Sequence, residues 1–447
     1  MKIQLSDHFT FQRLLRFTIP SIAMMILTSI YSIVDGLFVS NFVGKIPFAA
    51  LNMMYPFMMA ISTVGFMLGT GGSAVVAITL GEGKKQKAQE YFSMIIYVAA
   101  VIGIIVSITA IIFMKPIALM LGASAQMLLD CIIYGRILAA GITAFMLQII
   151  FQSFFVTAQK PEMSLKVSLV SGMTNVILDY LFVVVFKWGL AGAGIATIFG
   201  QFIGAIMSIV YFIKENNSLL QLVKTRFYKR ILLKACTNGS SELMTNISAS
   251  IINILYNFQL MKIAGENGIA AYGVIMYASF VFSAIYIGYS IGTAPIIGYH
   301  YGAKNDNELK NLFKKSLIII ALTGVMMTGL AEIFASPLAK IFVAYDQKLF
   351  DMTCHGFRLY AFSFLLSGFN IWGSGFFTAL GDGLISAILA FLRTLVFQII
   401  VVLFLPLILG LDGIWLSVVI AEVLALIITL FFFIKKKDKY HYIKMWS

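Results

Sequence analysis

Long apolar windows, bounded by charged clusters or by Gly and Pro, recur along the whole chain. A bilayer core about 30 Å thick is crossed by roughly 20 apolar residues in helical form, so each window is long enough to span it. The pattern predicts twelve spans, near residues 14–40, 50–80, 91–113, 127–157, 164–186, 189–213, 231–261, 269–300, 312–334, 352–378, 385–407 and 411–434. The polar connections alternate in character. Lys84, Lys85 and Lys87, then Lys160 and Lys166, Lys214 through Lys234, Lys304 through Lys315, and the run Lys435, Lys436, Lys437 and Lys439 all fall on one side. The opposite loops carry only isolated cations such as Lys115, Lys187, Lys262, Lys340 and Lys348. The excess of Lys and Arg is expected to mark the cytoplasmic face, and with it both termini.

The windows also repeat. A shift of 221 positions (302 − 81) superposes Gly44 on Gly265, Ala49-Ala50 on Ala270-Ala271, Gly81 on Gly302, Phe92 on Phe313, Pro116 on Pro337, Gly135 on Gly356 and Gly189 on Gly410, in one uninterrupted register. Each half holds an even number of spans, so the halves have the same orientation and are related by an axis along the membrane normal. The expected architecture is an all-α polytopic membrane protein of two six-helix lobes: 1–213, a cytoplasmic linker 214–230, and 231–447.

Composition agrees. Hydrophobic residues make up 60%, charged residues 11%, and mean hydropathy is +0.94, which excludes a soluble globular class. The net charge of +13 is taken up by topology, so no nucleic-acid partner is expected. Cys131, Cys236 and Cys354 are scattered and odd in number, giving neither a disulfide framework nor a metal site. The four histidines have no ligand spacing, and no nucleophile constellation faces an aqueous boundary, so an enzyme is not expected. No cofactor is expected beyond a coupling ion.

The residues that depart from the pattern carry the chemistry. Pro20 removes a backbone donor inside the first span and marks a place where that helix can bend. Asp35 follows fifteen residues later, roughly 22 Å along the helix. A carboxylate inside a membrane span costs on the order of 2.5–3.5 kcal/mol on insertion scales, and its default reading is functional. Depth arithmetic places Asp35 and Asp179 about 8 and 10 Å below the external boundary, and Thr197 and Tyr134 about 12 Å below it. Asn175 lies one turn from Asp179 on the same helical face. Two carboxylates sharing a weakly solvated pocket cannot both ionise cheaply, and a proton or a sodium ion would relieve them. In the second half, Glu242 with Asn246 one turn on is a candidate acid, able to neutralise a cationic substrate or take a second proton. Glu332, Glu422, Arg136, Arg358 and Arg393 are weaker candidates.

Several of these stretches occur together in one known family. Pro20, Val34-Asp35-Gly36, Gly81 with Ala88, Asn175-Val-Ile-Leu-Asp179 and Gly189-Leu-Ala-Gly-Ala-Gly-Ile-Ala-Thr197 make the chain resemble the multidrug and toxic compound extrusion family, in its DinF- and MepA-like branch. The resemblance implies a monomeric secondary antiporter that exports amphipathic, often cationic drug-like compounds against protons or sodium by alternating access. It further implies an N-lobe ion site at Asp35, Asn175, Asp179 and Thr197, with Tyr31 and Tyr134 nearby and a bend of the first helix at Pro20. Related folds also include flippases for lipid-linked saccharides. That role would need a strongly cationic cleft, whereas only three arginines, Arg136, Arg358 and Arg393, lie more than one turn inside the spans here.

Overall fold

A computed structural model describes residues 3–344 and 346–443; the expected lobe limits at 1 and 447 lie outside them. In hydrocarbon every backbone N–H and C=O must be satisfied within the segment, and the described residues comply by forming helices and no strand. The first half contains α1 (Phe11–Phe42), α2 (Lys45–Gly81), α3 (Lys85–Met120), α4 (Leu128–Thr157), α5 (Pro161–Asp179) with a π-helical turn Tyr180–Val185, and α6 (Gly189–Ile213). A stretch without helix, 214–228, leads to the second half. This holds α7 (Lys229–Asn238), α8 (Ser240–Gly302), α9 (Asp306–Val343), α10 (Gln347–Ala361) and α11 (Phe364–Ala379). It ends with α12 (Gly383–Phe391), a π-helical turn Leu392–Val396, α13 (Phe397–Phe404), α14 (Pro406–Leu409) and α15 (Leu411–Tyr440).

Among the described residues ten helical stretches are long and apolar enough to cross a membrane, Gly383–Leu409 among them. One of them, α8, has 63 residues, about 95 Å of helix, and is broken at Gly265 (φ 64°, ψ −152°) into two spans. A further span is made jointly by α10 and α11, interrupted at Phe362 and Ser363. The chain is therefore a multi-pass membrane protein of twelve spans in two six-helix lobes. Several helices outrun their apolar windows: α3 covers Lys85–Met120 where hydropathy marks only 91–113, because its polar first turns stand clear of the hydrocarbon.

The repeat is visible in backbone and core alike. Positive φ recurs at the 221-residue spacing at Gly44 and Gly265, at Gly189 and Gly410, and at Gly83 and Lys304. In the N-lobe, Phe92 packs 4.9 Å from Phe212 and 6.3 Å from Phe151; in the C-lobe the matching Phe313 lies 5.0 Å from Phe433 and 5.8 Å from Trp372. Aromatic pairs of this kind contribute about 0.5–1.5 kcal/mol each beyond area burial, and here they tie the inner ends of each lobe together.

The lobes meet on the linker side. A Cβ on Gly81 would strike the Tyr299 carbonyl, and one on Gly302 the Ile78 carbonyl, a reciprocal contact across the pseudo-two-fold. Gly71 likewise abuts Ala235 and Gly239, while its counterpart Gly292 abuts Thr18. Apolar clusters follow the same division. The cluster around Leu5, Phe9, Phe17, Ile296 and Trp372 draws on both lobes. The one around Val39, Met54, Met114 and Ile142 belongs wholly to the N-lobe, and the one around Ile252, Phe357 and Trp415 wholly to the C-lobe. The packing shared by the lobes thus lies on the linker side, and these last two clusters are confined to one lobe each.

Candidate functional site

Glycines let four N-lobe helices converge where α1 approaches the side away from the linker. The Tyr31 ring lies directly on Gly172 of α5, the Tyr134 ring lies against Gly194 of α6, and Gly200 of α6 meets the Ser171 carbonyl and Asn175. Below the site, Gln148 Nε2 donates to Ser171 Oγ at 3.0 Å and Ser171 Oγ donates to the Gly200 carbonyl at 2.7 Å, fixing α4, α5 and α6. Ser171, Asn175 and Asp179 form one stripe along α5 at i, i+4 spacing, and Tyr31 and Asp35 form another on α1.

These stripes bring the predicted residues together. The Asp35 carboxyl faces Asp179, Asn175 and Thr197. Asn175 Nδ2 donates to Thr197 Oγ1 at 3.4 Å, and Thr197 Oγ1 donates to the Ala193 carbonyl at 3.0 Å. Asp179 is fully buried. Both its carboxyl oxygens, Asp35 Oδ1 and Tyr31 Oη lack a well-formed hydrogen bond, although the two acids lie within reach of each other. No basic side chain is among the groups acting on either carboxyl. Buried acceptors without donors are costly, so the arrangement favours a proton shared by the pair or a small cation held by Asp35, Asp179, Asn175 Oδ1 and Thr197 Oγ1. Tyr134, 4% exposed, reaches α6 one turn before Thr197. Immediately after Asp179 the helix widens into its π-helical turn, with Phe186 N–H bonding to the Leu181 carbonyl at 2.8 Å. Such turns are frequent at functional sites. The apolar run from Tyr180 to Val185 gave no sign of it.

Pro20 lies inside a helix that runs unbroken from Phe11 to Phe42, at the position where the ring leaves one backbone acceptor without its donor. The turn after it packs on the other lobe, where a Cβ at Gly288 would meet Ser21 and Ile22 backbone atoms. Glu242 sits in the first turn of α8 on the linker side, away from the N-lobe acids. Its carbonyl accepts from Asn246 Nδ2 at 2.8 Å, and its carboxyl has no hydrogen bond or ion pair among the described residues.

A second polar cluster escaped sequence reasoning as a unit. In the C-lobe, Glu422, 3% exposed, accepts from Arg393 Nη2 at 2.7 Å and Arg393 Nε at 2.9 Å. It also accepts from Asn370 Nδ2 at 2.7 Å, while Thr429 Oγ1 donates to Asn370 Oδ1 at 2.9 Å. Arg393 and Glu422 fall in consecutive expected spans, but sequence order leaves open which spans pack side by side. Of the remaining candidates, Arg136 donates to the Ile111 carbonyl at 3.2 Å and Arg358 lies 3.8 Å from Glu332, both exposed.

Two repeated lobes joined at one face, with paired acids inside one of them, define a membrane transporter architecture. The family model described as MatE matches residues 20–181 and again 243–404, and the chain belongs to that family. Among curated relatives, "Multidrug export protein MepA" of Staphylococcus saprophyticus is 25% identical over 416 residues, 92% of this chain and 91% of the relative. The protein of the same name from Staphylococcus aureus is 25% identical over 414 residues, with 92% and 91% covered. A solved structure titled "Outward-facing conformation of a multidrug resistance MATE family transporter of the MOP superfamily" shares the fold, with TM-score 0.92, 21% identity and 97% of each chain covered.

Proposed function

We propose that this chain is a secondary active multidrug efflux antiporter, exporting amphipathic, often cationic compounds in exchange for protons or sodium. The observation that carries the reading is the pairing of Asp35 with the buried Asp179, where Asp35 Oδ1 and both Asp179 oxygens lack well-formed hydrogen bonds and no basic side chain is near. Membership of the MatE family and the multidrug export named for its relatives support the transport role. With the basic linker side cytoplasmic, the cleft between the lobes faces outward, and the acid pair lies toward the compartment from which an inward-moving ion arrives. Ion binding changes the charge between α1 and α5, and a ligand moves a conformational equilibrium only through such a difference in affinity between states. Pro20, where α1 lacks one backbone bond beside Gly288 of the other lobe, is the weak point through which that change reaches the lobe interface.

The test is efflux of a fluorescent organic cation from vesicles reconstituted with the protein, with proton and sodium gradients imposed separately. One gradient drives efflux in the wild type, and Asp35→Asn reduces it to the level of protein-free vesicles while the melting temperature is retained. Undiminished transport by that variant removes Asp35 from the mechanism.

A further inference from the structure

On the linker side, α2, the start of α3 and α7 line an open cleft of about 150 Å³, room for several waters. Ile78 and Ile231 form its apolar floor, and Lys84, Lys87 and Lys234 its rim, with Glu82 the one acid lining it. Glu82 is taken by Lys84 at 2.7 Å. Among the described residues the ammonium groups of Lys87 and Lys234 have no ion-pair or hydrogen-bond partner. Lys87 belongs to the N-lobe and Lys234 to the C-lobe.

The pseudo-two-fold supplies a control within the same molecule. At the 221-residue spacing Lys87 corresponds to Glu308, and Lys234 to Arg13. There the cleft is filled by the chain itself: Leu5 and Phe9 are fully buried, and Glu308 accepts from the Phe9 N–H at 2.9 Å and from Asn311 Nδ2 at 2.7 Å, with His8 Nδ1 2.7 Å away. The residues that match Leu5, His8 and Phe9 on the lysine side are Arg226, Lys229 and Arg230, and all three stand exposed in place of filling the cleft. One cleft therefore carries an acid satisfied from within, and its counterpart carries open volume and uncompensated cations. Beside it Phe227 and Leu233 are 67% and 54% exposed, so that α7 presents both apolar and basic residues at membrane-surface level.

We propose that this cleft binds a phosphate-bearing anion, of the kind found in anionic phospholipid headgroups, which bridges Lys87 and Lys234 and so clasps the two lobes on the linker side. A basic pocket between spans on the face rich in Lys and Arg has the chemistry for such a headgroup. Because the lysines come from different lobes, the anion binds best when the lobes are together and favours that state.

The experiment is native mass spectrometry of the purified full-length protein titrated with phosphatidylglycerol or phosphatidylcholine, with and without inorganic phosphate, alongside melting temperatures. The wild type is expected to hold one phosphatidylglycerol more tightly than phosphatidylcholine. Lys87→Gln with Lys234→Gln should weaken it by roughly tenfold or more, since each surface-level lysine contributes about 1 kcal/mol to anionic-lipid attraction. The same double change at Lys262 and Lys340, on the other side, should leave it unaltered. A preference that survives saturating inorganic phosphate assigns the site to lipid. Displacement by phosphate, with a phosphate-dependent rise in melting temperature absent from the Lys87/Lys234 variant, assigns it to the free anion. Equal binding and equal melting temperatures in wild type and that variant would overturn the proposal.

Discussion

In the C-lobe the buried Glu422 is held by Arg393 through two nitrogens and by Asn370 through a third, and Thr429 holds Asn370 in turn. In the N-lobe the buried Asp179 faces another acid and has neither a good hydrogen bond nor a basic neighbour. The two lobes descend from one repeated plan, yet Asp35 corresponds to Tyr256, which donates to Gln398 Oε1 at 3.0 Å in a neutral contact, and Asp179 to Ile400. A network whose members satisfy one another is expected to stabilise and to stay fixed. On the proposed reading, a pair that lacks one positive charge is completed by an ion that arrives and leaves. Buried charge is thus structural in one half and, on the proposed reading, functional in the other.

The comparison breaks most sharply at the acids themselves. Asp179→Asn should abolish gradient-driven efflux in the vesicle assay and leave the melting temperature unchanged or raised, because a buried carboxyl without partners is removed. Glu422→Gln should do the reverse. Leaving the partly buried Arg393 without its carboxylate costs about 1–3 kcal/mol and lowers the melting temperature, while transport per folded molecule persists. Replacing both partners with Met should recover most of that stability. If instead Glu422→Gln left stability intact and stopped transport, the division of labour between the lobes would be wrong.

Smaller effects sharpen the same contrast. Gly302→Ala drives a Cβ into the Ile78 carbonyl, and overpacking of this kind costs about 1–3 kcal/mol. It should shift the equilibrium toward lobes parted on the linker side by roughly tenfold, read from spin-label distances across the seam. Smallest is a matched pair of threonines. Thr197→Val removes one oxygen from the N-lobe pocket and should weaken the ion dependence of transport roughly fivefold, the equivalent of about 1 kcal/mol. Thr429→Val should cost a similar amount of stability, measured by thermal unfolding, and leave the ion dependence alone.

Most of this architecture was legible in the chain because membrane helices announce themselves by apolar length and because glycines at a constant spacing mark turns that require positive φ. The convergence of these side chains was legible through depth: spacing along α1, α5 and α6 put Asp35, Asp179, Asn175 and Thr197 at one level, and the fold supplied the lateral proximity. Three features were not readable. The interruption at Phe362 and Ser363 involves neither Gly nor Pro, and the carbonyls beside it, of Ala361 and Phe364, accept from Thr328 Oγ1 at 3.3 Å and Tyr286 Oη at 2.8 Å on neighbouring helices. The π-helical turn after Asp179 lies in a featureless apolar run. The pairing of Arg393 with Glu422 depends on which helices stand side by side, which sequence order does not determine.

The reciprocal contact of Gly81 and Gly302 sets how the halves can part. At that seam the carbonyls of Ile78 and Tyr299 each already accept a helical N–H, from Glu82 at 3.0 Å and Ala303 at 2.9 Å, and press on bare Cα atoms. No interlocked side chain has to change rotamer there for the rails to slide away from one another, and each uncovered oxygen keeps a lone pair for water. The resistance to opening is therefore concentrated in the flanking plugs of Leu5, Phe9 and the aromatic clusters, which must be lifted out of apolar surroundings before the smooth track between them is wetted.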